Sequence, residues 1–209
     1  VVLKGTAPGE RKLETKSALR PVTPRGFWPP VFALAAFTFF RLPETLLILR
    51  LQDLGVPLVT IPLVWAGLHV VRTSASYPGG WLVDHWGPRW VIVAGGLLFS
   101  AFALGLGFSI SPLAGIALFL IFGLVAGLSE SAERVLVSRL EPVRLGRGFG
   151  AYYALTGVAA LPAGVLFGWL YQHVGAGPAL WSSAGCIALT VLLWIGVSRP
   201  ADLHRPGST

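Results

Sequence analysis

Residues 90–129 read WVIVAGGLLFSAFALGLGFSISPLAGIALFLIFGLVAGLS, forty positions without one Asp, Glu, Lys or Arg. A helix rises 1.5 Å per residue and needs about 20 apolar residues to cross the hydrocarbon of a bilayer, so this stretch is long enough for two crossings. Ser109-Ile110-Ser111-Pro112 supplies the turn between them, with Pro112 placed to open the second. A second charge-free stretch, 148–198, is divided in the same way by Gly175-Ala176-Gly177-Pro178. Strands of a membrane barrel alternate apolar and polar residues over about ten positions. Neither stretch alternates, so the spans are helices.

Working outward, six apolar segments follow one another: Trp28–Leu51, Pro57–Gly79, Trp90–Phe108, Pro112–Val137, Gly148–Tyr171 and Pro178–Val197. They make a six-helix transmembrane domain over 28–198, between a polar, basic lead-in at 1–27 and a tail at 199–209. The fold class expected is an all-α membrane protein. Composition agrees: 54% of the 209 residues are hydrophobic, 12% are charged and the mean hydropathy is +0.71. A soluble domain carries about 25% charged residues, so a soluble enzyme is excluded. No position is Met, from which we expect a piece of a longer membrane protein. The net charge of +7 is spread in short clusters between apolar runs, a pattern that suits membrane topology and not nucleic acid. Cys186 sits in an apolar run and reads as a small hydrophobe.

The sixteen basic residues give the orientation. Six lie in the lead-in, Arg89 lies between spans 2 and 3, Arg139, Arg144 and Arg147 between spans 4 and 5, and Arg199 and Arg205 in the tail. Those twelve share one side; Arg50 alone is on the other, and Arg41, Arg72 and Arg134 fall inside spans. Basic loops stay in the cytoplasm. Both termini are therefore expected to be cytoplasmic, in a multi-pass protein of the cell (inner or plasma) membrane.

Charges at bilayer depth cost several kcal/mol and must face protein or a watery cavity. Arg41 and Glu44 in span 1, and His69 and Arg72 in span 2, are pairs three residues apart, each pair on one helix face near the midplane. Span 4 carries Glu130, Glu133 and Arg134 nearer the cytoplasm, with Glu130 and Arg134 spaced for an intramembrane ion pair. Spans 3 and 6 carry no charge. That split predicts a polar cavity lined by spans 1, 2 and 4, with spans 3 and 6 supporting on the lipid side. Arg41, Glu44, His69 and Arg72 read as a substrate or proton pathway, with mutual charge neutralisation as the competing account, and Glu44 reads as the coupling site, since burial disfavours the charged form of a carboxyl. Gly164 and Gly168 in span 5 form a small-xxx-small pair suited to close helix packing.

Gly79-Gly80-Trp81-Leu82-Val83-Asp84-His85-Trp86-Gly87-Pro88-Arg89 joins spans 2 and 3. It reads as a short turn: two Gly for a tight helix exit, Asp84 as an isolated acid, Gly87 for a positive φ and Pro88 to start the next helix. Through Gly80, Leu82, Asp84, Gly87 and Arg89 it resembles the loop signature of the major facilitator superfamily, Gly-x-Leu-x-Asp-Arg-x-Gly-Arg-Arg. The chain looks like the C-terminal six-helix half of such a transporter, preceded by a segment resembling the linker between halves. Pro142–Gly150 also looks like the family's loop between its tenth and eleventh helices. The resemblance implies a secondary transporter that moves a small solute by alternating access, driven by an ion gradient and here by protons, with its site against an N-terminal half that this chain lacks. It also implies that Asp84 and the neighbouring bases form a gating network. His85 stands where the family often has Arg, and Pro88 replaces a base, which implies a weaker network or one dependent on His85 protonation. Span 5 lines the cavity in the family and offers Tyr152, Tyr153 and Thr156 here, with Gly157 and Pro162 as kink points. No nucleotide loop or metal-spacing cluster occurs, so no cofactor, metal or enzymatic activity is expected. The alternatives are a six-helix scaffold or self-pairing half transporter, and a rhomboid-like intramembrane serine peptidase using Ser129, in Gly127-Leu128-Ser129, with His173.

Overall fold

A computed structural model describes residues 26–197. The lead-in as far as Arg25 and the tail from Ser198, with eight of the twelve bases that set the orientation, lie outside the described residues. The described chain is helical: α1 Trp28–Phe40, α2 Glu44–Asp53, a 3-10 turn Leu58–Thr60, α3 Ile61–Trp86, α4 Pro88–Phe108, α5 Pro112–Leu140, α6 Leu145–His173 and α7 Ala176–Val197. No strand occurs among the described residues. Six segments are long and apolar enough to cross a membrane, the first being α1 and α2 together, Trp28–Asp53. Proline opens α1, α3, α4 and α5, where its missing N–H costs nothing and its fixed φ suits the first turn.

Three boundaries differ from the sequence reading. Span 1 is not one helix: α1 stops at Phe40, Arg41 is extended (φ −75°, ψ 122°) and α2 begins at Glu44. Pro43 causes this, because it lacks a donor and pushes the residue before it out of the helical region. The broken ends are made good from span 6, where Ser183, fully buried in α7, donates to the Phe40 carbonyl at 2.7 Å and accepts from the Leu42 N–H at 3.1 Å. Span 2 does not end at Gly79 but continues through Gly80 to Trp86, so Gly87 alone (φ +79°) joins α3 to α4. Span 5 begins at Leu145, so much of Pro142–Gly150 is helix, not loop.

Packing rests on glycines in α4 and α5. A β-carbon on Gly123 would meet the Leu68 carbonyl oxygen at 2.9 Å, and one on Gly127 would overlap the Arg72 carbonyl and reach the Ala75 Cβ at 2.8 Å. Gly123 and Gly127 are thus the small-xxx-small pair that lets α3 and α5 touch backbone to backbone. Gly164 and Gly168, expected in that role, have nothing within 4 Å of their missing β-carbons. Gly96 of α4 gives room to Val191 of α7, and Gly95 to Ser129 of α5. Span 3 therefore runs between spans 4 and 6 and is the most buried of the six within this bundle, while Leu97, Leu98 and Leu104 keep an exposed apolar face. Phe102 stacks on Phe122 at 5.0 Å, which joins α4 to α5, and Phe37 meets Trp194 edge-on at 6.5 Å, which joins α1 to α7. In lipid such close dispersion contacts, and not water exclusion, hold helices together.

Seven of the eight Trp are exposed, and all seven lie toward span ends: Trp28, Trp81, Trp86 and Trp90 at one end of the bundle, Trp65, Trp169 and Trp181 at the other. Two such belts fit the headgroup layers of a bilayer. Spans 2 and 5 are the least buried of the six.

Candidate functional site

The break in span 1 sets the site. It turns Arg41 off the end of α1 and places Glu44 in the first turn of α2, where the positive end of the helix favours an acid. On the facing wall, Gly127 draws the backbone of Arg72 against α5. Glu130 stands three residues beyond Gly127, within reach of the Arg72 guanidinium. The result is one cation between two carboxylates from two other helices: Arg72 Nη1 donates to Glu44 Oε1 at 2.7 Å, and Arg72 Nη2 donates to Glu130 Oε1. Glu130 Oε2 also accepts from Arg134, one turn on, at 3.4 Å.

A second cluster lies beside this chain. Arg41 Nη2 is 3.7 Å from Glu133 Oε1, while Tyr152 of α6 donates its hydroxyl proton to Glu133 Oε2 at 2.6 Å. The Arg41 guanidinium also sits 5.7 Å above the Phe99 ring. Arg41, Arg72 and Arg134 against Glu44, Glu130 and Glu133 leave no net charge, as expected of ions held at membrane depth.

Between the two clusters is a cavity of about 250 Å³, lined by Thr38, Arg41, Glu44 and Arg72 and by apolar residues that include Phe122 and Ala163. Its walls come from spans 1, 2, 4 and 5, and spans 3 and 6 contribute none of the lining. Side chains of Arg41, Glu44, Arg72 and Glu130 are 23–33% exposed. They are thus neither sealed in a core nor bathed in bulk water, and an ion pair so placed can be broken at moderate cost when one member is neutralised.

Of the expected pathway residues, Arg41, Glu44, Arg72 and Tyr152 come together here. His69 does not join them; it is half-buried, with its ring edge-on to Trp65 at 4.7 Å. Tyr153 is 54% exposed and stacks on Phe149 at 6.1 Å. Within the expected Glu130, Glu133 and Arg134 group, Glu130 does pair with Arg134, but Glu133 turns to Arg41 and Tyr152. The signature residues Gly80, Leu82 and Asp84 lie on the last turns of α3 and not in a turn region. Asp84 is exposed and makes no hydrogen bond or ion pair among the described residues. His85 is held through Nδ1 by the Trp81 carbonyl at 2.8 Å. Arg89 reaches the end of span 6 and donates to the Ile195 carbonyl at 2.8 Å.

At the opposite end of the bundle, two links had no counterpart in the sequence reading. Tyr171 of α6 donates to Asp53 of α2, and Arg50 donates to the Ser109 carbonyl at 2.8 Å, satisfying the end of α4. The peptidase arrangement is absent: Ser129 is 3% exposed and donates to the Val125 carbonyl at 2.9 Å, and His173 is tied to the Trp169 carbonyl at 2.9 Å.

The chain also resembles known proteins. An uncharacterised MFS-type transporter of Methanocaldococcus jannaschii is 25% identical over 145 residues, which is 68% of this chain and 36% of that protein. The chain thus matches about a third of the length of that relative. The profile of the Major Facilitator Superfamily matches residues 31–209, from within the first span to the last residue. With six helices among the described residues long and apolar enough to cross a membrane, this multi-pass membrane chain belongs to the major facilitator superfamily.

Proposed function

We propose that the complete protein is a proton-coupled secondary transporter of a small solute, and that this bundle is its C-terminal half. An N-terminal six-helix half would close over spans 2 and 5, whose faces are the least buried in the bundle, and would meet Asp84, which has no partner among the described residues. Both termini would face the cytoplasm of a cell (inner or plasma) membrane. In each transport cycle the solute would enter the cavity between the halves from one side and leave from the other.

The observation that carries the proposal is the position of Arg72 between Glu44 and Glu130. A proton delivered from cavity water to a Glu44 oxygen removes one of the two charges holding Arg72. The guanidinium is then held by α5 alone, and the link between α2 and α3 opens. Loss of the proton restores it. Protonation of one carboxylate is thereby converted into relative freedom of two cavity walls, which is what alternating access with proton coupling requires. Glu130, shared with Arg134, keeps a partner throughout and so anchors the moving cation.

The test is solute flux into proteoliposomes containing the complete gene product under an imposed proton gradient. The proposal expects uptake above equilibrium that collapses when a protonophore dissipates the gradient. Accumulation indifferent to the protonophore would sink proton coupling. Absence of any carrier-mediated flux across a broad solute screen would sink the transport reading.

A further inference from the structure

We infer that the cavity selects a small organic anion with an apolar body, its carboxylate received by Arg41. The inference rests on the proposed transport role and adds the class of solute.

The three cations of the site are not equally satisfied. Arg72 has two carboxylates, and Arg134 has one oxygen of Glu130 at 3.4 Å. Among the described residues Arg41 has Glu133 as its one carboxylate, at 3.7 Å and outside hydrogen-bond distance, and the second Glu133 oxygen is already taken by Tyr152 at 2.6 Å. The Nε of Arg41 is buried and has no hydrogen-bond partner among the described residues. A buried guanidinium N–H without an acceptor is costly, so Arg41 is the least satisfied of the three, and the part of its side chain that lines the cavity presents a cation suited to a carboxylate. Of the two guanidiniums that line the cavity, Arg72 is already held by Glu44 and Glu130, which leaves Arg41 as the cation most open to a further acceptor.

The rest of the wall describes the body of the solute. Phe122, Ala126, Ala160, Ala163 and Leu42 offer carbon to whatever sits beside Arg41, and Thr38 already donates its hydroxyl to the Leu34 carbonyl at 3.1 Å. A polyol or sugar would leave its hydroxyls facing these methyl groups unpaired. A small aromatic or branched carboxylate would match both the cation and the carbon of the lining.

The test is binding of radiolabelled benzoate to the detergent-solubilised complete protein near neutral pH, with benzamide and benzylamine as competitors of the same shape but neutral or positive. Benzoate is expected to bind saturably, with both competitors at least about tenfold weaker, since one charge-assisted hydrogen bond is worth a factor of that order. Arg41→Gln should weaken benzoate by about tenfold or more, and Arg41→Lys should recover part of it. Ala160→Phe narrows the cavity without touching a charge and should abolish binding; it decides the matter if Arg41→Gln does not fold. No saturable benzoate binding, equal competition by benzamide or benzylamine, or benzoate binding retained in Ala160→Phe would each overturn the inference. Proton-driven flux of a neutral or cationic solute that still depends on Glu44 would overturn it while leaving the transport proposal standing.

Discussion

Replacing Gly127 by Ala should loosen the bundle, although Ala is by itself the better helix former. In an exposed helix interior the change gains about 0.5–1 kcal/mol through backbone entropy. At Gly127 the added methyl overlaps the Arg72 carbonyl and lies 2.8 Å from the Ala75 Cβ. A backbone oxygen has no rotamer to move to, so α3 must shift away from α5, at the roughly 1–3 kcal/mol typical of an overpacked core. Gly168→Ala is the internal control: it sits in a helix of the same length, with nothing within 4 Å of the added carbon. The intrinsic gain cancels between the two variants. Gly127→Ala should therefore be less stable than Gly168→Ala by about 1–3 kcal/mol, measured by unfolding in mixed detergent micelles. The same shift carries Arg72 away from Glu130, so transport by Gly127→Ala should fall more than its stability alone explains. Equal stabilities would refute the backbone contact between α3 and α5.

Other consequences can be checked in the same system. Ser183→Ala should cost about 1–3 kcal/mol, because it strands the Phe40 carbonyl and the Leu42 N–H in a buried break; a variant as stable as wild type would mean those groups find other partners. A double-mutant cycle with Arg72→Gln and Glu130→Gln should give a coupling energy of about 1–3 kcal/mol, between surface and fully buried pairs because both side chains are about a quarter exposed. A coupling near zero would remove the pair as a structural tie. Asp84→Asn should leave the protein in the membrane but depress transport, and flux equal to wild type would dismiss a gating role for Asp84.

What the sequence disclosed, and what it hid, follow from range. Span number and helical character were legible because hydropathy over about 20 residues is a local sum that tertiary contacts hardly alter. Arg41, Glu44 and Arg72 were legible as cavity groups because an ion in lipid has so few other places to go. Their pairing was not. Spacing along one helix finds Glu130 with Arg134, but whether Arg72 reaches Glu44 and Glu130 depends on how closely α3 approaches α5, and hence on Gly123 and Gly127. Those glycines look no different in the sequence from Gly164 and Gly168, because a small-xxx-small pattern does not say whether another helix faces it. The break at Arg41 had a visible signal in Pro43. Its tolerance at mid-span required Ser183, 140 positions from Pro43, which no local pattern reveals. The turn after span 2 was misplaced because Gly79 and Gly80 suggested an exit; buried against Leu128 and Ser131, Gly79 is instead a packing residue within a continuous helix.

The most direct test of the account is the pH dependence of uptake by the complete gene product with Glu44 replaced by Gln. That side chain keeps the shape of a protonated Glu44 and holds no charge against Arg72. If Glu44 carries the coupling proton, wild-type uptake should respond to the proton gradient and Glu44→Gln uptake should not, with solute exchange at equilibrium surviving in the variant. A Glu44→Gln protein that accumulates solute with the wild-type pH profile would contradict the account.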